Sequence, residues 1–373
     1  MAFEPVVPAR SGLPLRILHL ARALSQVAEV DLVALGHQPV PRHDEPFDIR
    51  HVPLEWSSSR ARLRAIREPW SVAQWHSPAM RALVRAGRWD TVQAHTLAVL
   101  PMAADAGCPV VLDAHDAWTD VTATMARTDS RRGRRVWWRL EHAKAVAAER
   151  RAARSTAAVT VPTEAEAELF EGYGARAVVV PNGVDLSATP HAPPTPEPHV
   201  VFVGYYLWRP NLEAAVELVD RVMPLLRARL PGASLRLVGR DPAPELLARA
   251  GPGVEVTGAV PDVLPHLRWA GVTVLPIRAG GGSRLKALEA LAAGVPVVAT
   301  PFAVNGLGLR DGEHVLLGQR PGDLADQAAR VLEDRALAER LSIAGRALVE
   351  RRFDWPRVAR PLVELHHELA GTA

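Results

Sequence analysis

The chain has 373 residues, more than the roughly 150 of one typical domain, so two domains are expected. Hydrophobic residues make up 48% and charged residues 23%, a globular balance that excludes a disordered chain, and the longest apolar runs fall far short of the roughly 20 residues that span a bilayer. A formal charge of +3 is too small for a nucleic-acid footprint, and the single cysteine, Cys108, excludes an internal disulfide and a thiolate metal cluster.

The opening MAFEPVVPARSG has neither the basic n-region nor the long apolar h-region of a secretory signal, so a cytoplasmic location is expected. Short β-branched runs then alternate with helical patterns, the sequence form of a parallel sheet covered by helices. The predicted strands of the first half are Val30 to Leu35, Thr91 to Ala94, Val110 to Asp113, Ala157 to Val161 and Ala177 to Pro181. In such a fold the first strand is central, yet only Met1, Ala2 and Phe3 precede the loop Glu4 to Gly12. That stub predicts a natural start further upstream.

The segment Arg131 to Arg154, RRGRRVWWRLEHAKAVAAERRAAR, reads as a solvated helix whose Trp137 and Trp138 pack inward or line an acceptor cleft. Its competing reading is a peripheral contact with an anionic membrane on the inner face, serving a lipid-linked acceptor. Trp56, Trp70, Trp75, Trp89 and Trp118 suit sugar stacking, although core packing accounts for most of them.

A proline-rich linker, Ser187 to His199, interrupts the rhythm. It restarts with predicted strands Val200 to Gly204, Leu235 to Gly239, Val254 to Thr257, Val272 to Pro276, Pro296 to Ala299 and Val315 to Leu317. The expected domains are therefore 1–186 and 200–355, joined by 187–199. A final helix, Pro356 to Leu369, is expected to cross back to the N-terminal domain. Two parallel sheets facing across an inter-domain cleft would bind ligands beyond the carboxyl ends of their strands.

The most informative stretch is Gly280 to Gly294, GGGSRLKALEALAAG. Ser283 is placed as an N-cap and Gly294 as a C-cap, which puts Arg284 and Lys286 at the positive end of a helix dipole, where a cation costs roughly 0.3 to 1 kcal/mol. A bound anion reverses that penalty, and glycines admit its close approach. Glu289, one turn beyond Lys286, can accept two hydroxyl hydrogen bonds, as from a ribose. The combination describes a nucleoside diphosphate. The glycine spacing fits neither the dinucleotide fingerprint nor a P-loop.

At this point the residues resemble the retaining glycosyltransferase family 4, with the GT-B fold. The motifs PARSGLPLRILHLARAL, VVLDAHD, VVVPNGVDL, FVGYYLWRPN, LRLVGRDP, VTGAVPDV and GGGSRLKALEALAAGVPVVAT stand in the family's order over nearly the whole chain. The resemblance implies an α/β fold of two Rossmann-like domains, the C-terminal one holding the nucleotide sugar. It implies that Arg284 and Lys286 contact the diphosphate, with Gly281, Gly282, Ser283 and Leu285 around them, and that Glu289 meets the ribose. The loop carrying Asp262 would cradle the nucleobase; its plainer reading is a turn capped by that aspartate. Ser11 and Gly12 resemble a flexible glycine loop over the diphosphate, and His115 the histidine that meets the donor sugar. His95, Asp113 and Asp116 are weaker candidates for acceptor contacts, and Asn182 and Gly183 read as a hinge.

The reaction so implied is metal-independent transfer with retention to a hydroxyl of a sugar, lipid-linked or small-molecule acceptor. His115, Arg284 and Lys286 are its catalytic candidates, the donor is the co-substrate, and no cofactor or metal is required. Two departures bear on this. Many members carry two glutamates seven residues apart, and the first position here is Gly281. Members also commonly have a GR…K arrangement after the second domain's first strand, whereas Gly204 here precedes Tyr205 and then Arg209. A non-catalytic glycosyltransferase-like partner and a nucleotide-sugar epimerase of the same architecture are the rival readings.

Overall fold

The computed structural model describes residues 1–7, 12–55, 57–129, 131–279 and 284–371. The chain divides into two compact units: Met1–Asn182 with the C-terminal stretch from Trp355, and Gly183–Ala279 with Arg284–Asp354. Both are parallel α/β sheets covered by helices, as the expectation of two Rossmann-like units requires. The division falls at Asn182, four residues before the sequence-based boundary.

The first unit contains β1 (Asp31–Leu35), β2 (Asp48–Val52), β3 (Val92–His95), β4 (Val110–Asp113), β5 (Ala158–Val161) and β6 (Ala177–Val179). β1 pairs with β2, and β3 to β6 pair in chain order, all parallel. Met1 and Ala2 lie between these two sets. The Ala2 N–H donates to the Val33 carbonyl at 2.8 Å, the Leu35 N–H donates to Ala2 at 3.0 Å, and the His95 N–H donates to Met1 at 3.0 Å. The stub thus stands in the central strand position.

β2 is absent from the sequence prediction. Its residues DIRHV bury Ile49 and Val52 but expose Asp48 and Arg50, the mixed pattern of a strand with one wet face. The helix Gly12–Leu24 buries Ile17, Leu18, Leu20 and Ala21, with Pro14 tolerated in its first turn. The same face carries Arg16, which is 1% exposed. A guanidinium so deep requires a partner.

The helix Arg132–Ser155 matches the predicted one. Trp138 packs inward, its indole N–H donating to Asp129 at 3.2 Å, whereas Trp137 stays 41% exposed. The final helix, Arg360–Gly371, packs in this unit: Leu362 lies with Leu20 and Val180, and Leu365 and Leu369 with Val111 and Ala158. Trp355 stacks on His19 with centroids 4.8 Å apart. No described helix is long and apolar enough to cross a membrane.

The second unit holds β7 (His199–Val203), β8 (Ser234–Val238), β9 (Val254–Gly258), β10 (Val272–Leu275), β11 (Val297–Ala299) and β12 (Leu316–Leu317). Their order is β12-β11-β10-β7-β8-β9, the 3-2-1-4-5-6 arrangement of a dinucleotide-binding sheet. The order reverses between β7 and β10, so the crevice outside their carboxyl ends is where such a sheet binds ligands. Val200, Val201, Phe202, Val272, Val274, Val297 and Val298 are fully buried, as near-continuous apolar strands covered on both faces must be. The proline-rich stretch lies on this unit: the Ala192 N–H donates to the Ala293 carbonyl at 3.1 Å, and Arg346 donates to Thr189 and Ala292 at 2.6 Å each.

Candidate functional site

In the second unit the carboxyl ends of β7 and β8 are drawn tightly together. The Gly204 N–H donates to the Val238 carbonyl at 2.9 Å. Gly239 has φ +142°, and a Cβ there would lie 1.7 Å from the Gly204 oxygen, so only glycine fits. Just beyond these glycines the chain places Tyr205 and Arg240, with the Arg240 guanidinium 4.2 Å from the Tyr205 ring centroid. The Arg240 Nε is buried and has no hydrogen-bond partner. A buried donor left unmatched is costly, and here it stands at the carboxyl end of a strand beside the switch point.

From Tyr205 the polar groups run on to the helix Leu285–Ala293. The Asn211 amide donates to the Tyr205 carbonyl at 3.0 Å, and its oxygen accepts from Lys286 Nζ at 3.0 Å. Burial lowers the Lys286 pKa to about 8, against the opposing pull of Glu289, and raises the Glu289 pKa to about 7, against the pull of Lys286. The pair is poised where a bound anion and a hydroxylated ring can each find a charge.

The helix entry differs from the sequence reading. Arg284, not Ser283, is the N-cap, with φ 48° and ψ 15° in the left-handed region and no side-chain cap bond. The kink takes Arg284 out of the first turn and sets its guanidinium over the Phe302 ring at 5.3 Å. Lys286 alone of the two cations lies within the first turn. Leu285 is buried beneath it, a packing contact rather than a surface for a ligand. Gly281, Gly282, Ser283 and Ser11 lie outside the described residues; Gly12 begins its helix.

Arg209 opens the helix Arg209–Glu217 and pairs with Glu213 at 2.7 Å. Asp262 accepts from the Leu264 N–H at 2.9 Å, the turn-capping role that was its plainer reading.

In the first unit Arg16 finds its partner in Asp113 at the end of β4. Its Nη2 and Nε donate to the two carboxylate oxygens at 2.7 and 3.0 Å, and its Nη1 donates to Pro181 and Asn182 at 3.2 Å each. Thr160 donates to the same carboxylate at 2.8 Å, and His95 Nδ1 and His115 Nε2 each lie 3.0 Å from it. Although burial alone would raise it, Arg16 and the histidines hold the Asp113 pKa well below the usual carboxyl range.

An ionised carboxylate only accepts, so His95 donates its Nδ1–H to Asp113 at 3.0 Å, and the same ring nitrogen lies 3.1 Å from His115 Nε2. Burial lowers the His95 pKa to about 3 and keeps its ring neutral. His115 itself is held at φ 55°, a strained conformation at a strand end.

Asp113 is 0% exposed and its oxygens are engaged by its own chain, which corrects the expectation of an acceptor contact there. It orients the two histidines instead. Asp116 is half-buried next to them. His95, Asp113 and His115 come close enough for a metal-ligand set, but Arg16 already balances the carboxylate charge. Asn182 serves the Arg16 network rather than standing apart from it.

Sequence reasoning missed Arg16, Asn211 and Arg240. A signal existed for two of them. Arg16 stands in the apolar stripe of LPLRILHL, four residues before Leu20, and Arg240 directly follows a strand's carboxyl end. Asn211 gives none.

A "Glycosyltransferase Family 4" model matches residues 10–188, and a "Glycosyl transferases group 1" model matches residues 197–334. Among curated relatives, a phosphatidyl-myo-inositol mannosyltransferase of Mycobacterium tuberculosis is 34% identical over 219 residues, 54% of this chain and 57% of that protein. A glycogen synthase of the same organism is 32% identical over 218 residues, 53% of this chain and 50% of its own length. The chain thus spans about half the length of the curated relatives it matches. Among solved structures, sucrose-phosphate synthase from Thermosynechococcus elongatus aligns with a TM-score of 0.74 at 19% identity, covering 100% of this chain and 98% of that one. Anabaena Alr3699/HepE, solved in complex with UDP and glucose, aligns at 0.71 and 17% identity, covering 99% and 98%.

Proposed function

Because the chain belongs to glycosyltransferase family 4, we propose that it moves a sugar from a nucleoside-diphosphate sugar to an acceptor hydroxyl, with retention and without a catalytic metal. The observation that carries this reading is Lys286, held on Asn211 at the switch point with Glu289 one turn away and Arg240 beside Tyr205. Lys286, Arg284 and Arg240 supply the positive charge that a diphosphate leaving group needs, and Glu289 accepts from the ribose. The UDP complex of the Anabaena structure and the mannosyl transfer named for the mycobacterial relatives are consistent with such a donor.

In this mechanism the sugar–phosphate bond loosens toward an oxocarbenium-like state and the acceptor oxygen attacks the same face. The departing phosphate takes the acceptor's proton, so no protein nucleophile is required. In the first unit His115, grouped with His95 around the Asp113 carboxylate, is the candidate polar contact for a sugar hydroxyl. The carboxylate absent at Gly281 leaves sugar orientation to such neutral contacts.

Incubation with UDP-, GDP- and dTDP-sugars over a panel of acceptors, followed by determination of the product's anomeric configuration, tests the proposal. The expected result is a retained glycoside, undiminished by a metal chelator. An inverted product, or acceptor-independent conversion of the donor to an epimer, would overturn it.

A further inference from the structure

The first unit carries a second polar concavity, separate from the histidine network. It has a volume of about 370 Å³ and is lined by Arg60, Arg64, Arg81, Trp75 and His76, with Glu55 on its rim. Glu55 follows β2, and Pro101 and Met102 of the same lining follow β3, so the cavity sits at the carboxyl-end side of the sheet, where α/β folds bind ligands.

Its charges are unequal. Three arginines stand against one glutamate. Arg81 pairs with Asp105 at 2.7 Å, and Arg64 spends one nitrogen on the Trp75 carbonyl at 2.9 Å. Among the described residues the Arg60 guanidinium pairs with Glu55 at 3.9 Å, a distance too long for a hydrogen bond. The excess is felt by His76: burial lowers its pKa, and Arg64, Arg60 and Arg81 lower it further against the opposing effect of Glu55. The Trp75 ring, braced by Phe3 with centroids 5.0 Å apart, supplies a flat apolar wall beside the charges. Arginine forks match the oxygens of a phosphate, and an aromatic wall suits the face of a sugar ring.

We propose that this cavity binds the acceptor, and that the acceptor is a hydroxylated compound bearing a phosphate, held by Arg60, Arg64 and Arg81. The inference rests on the glycosyltransferase reading for the word acceptor, but the ligand's charge follows from the cavity alone. The phosphate can belong to a free sugar phosphate or to a lipid headgroup. Leu63, which also lines the cavity, is 71% exposed, and Ile66, just past the end of the same helix, is 72% exposed, so the rim can face either water or a bilayer surface.

The test is calorimetric titration of the full chain with glucose 6-phosphate and with glucose, UDP and GDP being present in excess to fill the phosphate-binding groups of the other unit. A parallel arm is flotation with phosphatidylcholine vesicles, with and without phosphatidylglycerol. Binding of glucose 6-phosphate at least about tenfold tighter than glucose supports a free phosphorylated acceptor; capture only by phosphatidylglycerol vesicles supports a lipid headgroup. In either case Arg60→Gln and Arg81→Gln should each weaken binding by about tenfold with unchanged melting temperature. Equal binding of charged and neutral probes, or binding indifferent to both substitutions, would overturn the proposal. Phosphate binding in a protein that transfers no sugar would refute the enzymatic reading and leave the cavity's ligand class standing.

Discussion

Two buried charge systems dominate at the level of single residues, and each has a pH signature. Glu289 accepts hydroxyl hydrogen bonds through both oxygens, and most strongly, when ionised, and Lys286 pairs with phosphate only when protonated. With Glu289 raised to about 7 and Lys286 lowered to about 8, nucleoside-diphosphate affinity should rise up to about 7, hold, and fall above about 8. Calorimetry across this range checks it, and Glu289→Gln should remove the Glu289 contribution to the acidic limb and move the basic limb to lower pH, because Glu289 holds the Lys286 pKa up. An affinity that only rises or only falls with pH would contradict the assignment.

Asp113 behaves oppositely. Its pKa is depressed in the folded chain, so its contribution to stability is present above the unfolded carboxyl value of about 4 and is lost as pH falls through that value toward the folded one. Asp113→Ala leaves the Arg16 guanidinium buried without its partner, which should destabilise the first unit by about 3–5 kcal/mol. Thermal melts should show the loss, and adding Arg16→Met should recover part of it. A single substitution that melts like the wild type would mean the pair contributes no net stability.

The strands β7, β10 and β11 of the second unit were legible as elements because they are buried on both faces and read as continuous apolar runs. β2 was not, since DIRHV exposes two charged residues and follows a proline-broken loop. Gly294 as a C-cap could be read directly, with φ 88° and a Cβ that would meet the Ala192 carbonyl at 2.2 Å. The start of the same helix could not, because the left-handed kink at Arg284 is a conformation that arginine rarely adopts and no propensity announces it. Lys286 and Glu289 could be named from helix spacing, whereas Asn211 meets Lys286 only through the pairing of β7 with β10, and Arg240 meets Tyr205 only through that of β7 with β8. These pairings are non-local, and local pattern carries no trace of them.

Across the whole molecule, the two units share a sheet type and differ in what their strand ends present. The second offers cations, a carboxylate and a glycine-narrowed crevice. The first offers a histidine pair fixed by a buried carboxylate, and a basic cavity beside an aromatic wall. Sugar transfer depends most on the second, because without a diphosphate at the switch point neither donor nor leaving group has a place. Calorimetric titration with UDP, GDP and dTDP of the wild type, Lys286→Ala and Arg240→Gln measures this directly. One of the three nucleotides should bind the wild type with a stoichiometry near one, and each substitution should weaken it about 10- to 100-fold, the loss of a charge-assisted hydrogen bond. No binding by the wild type, or undiminished binding by both variants, would contradict the account.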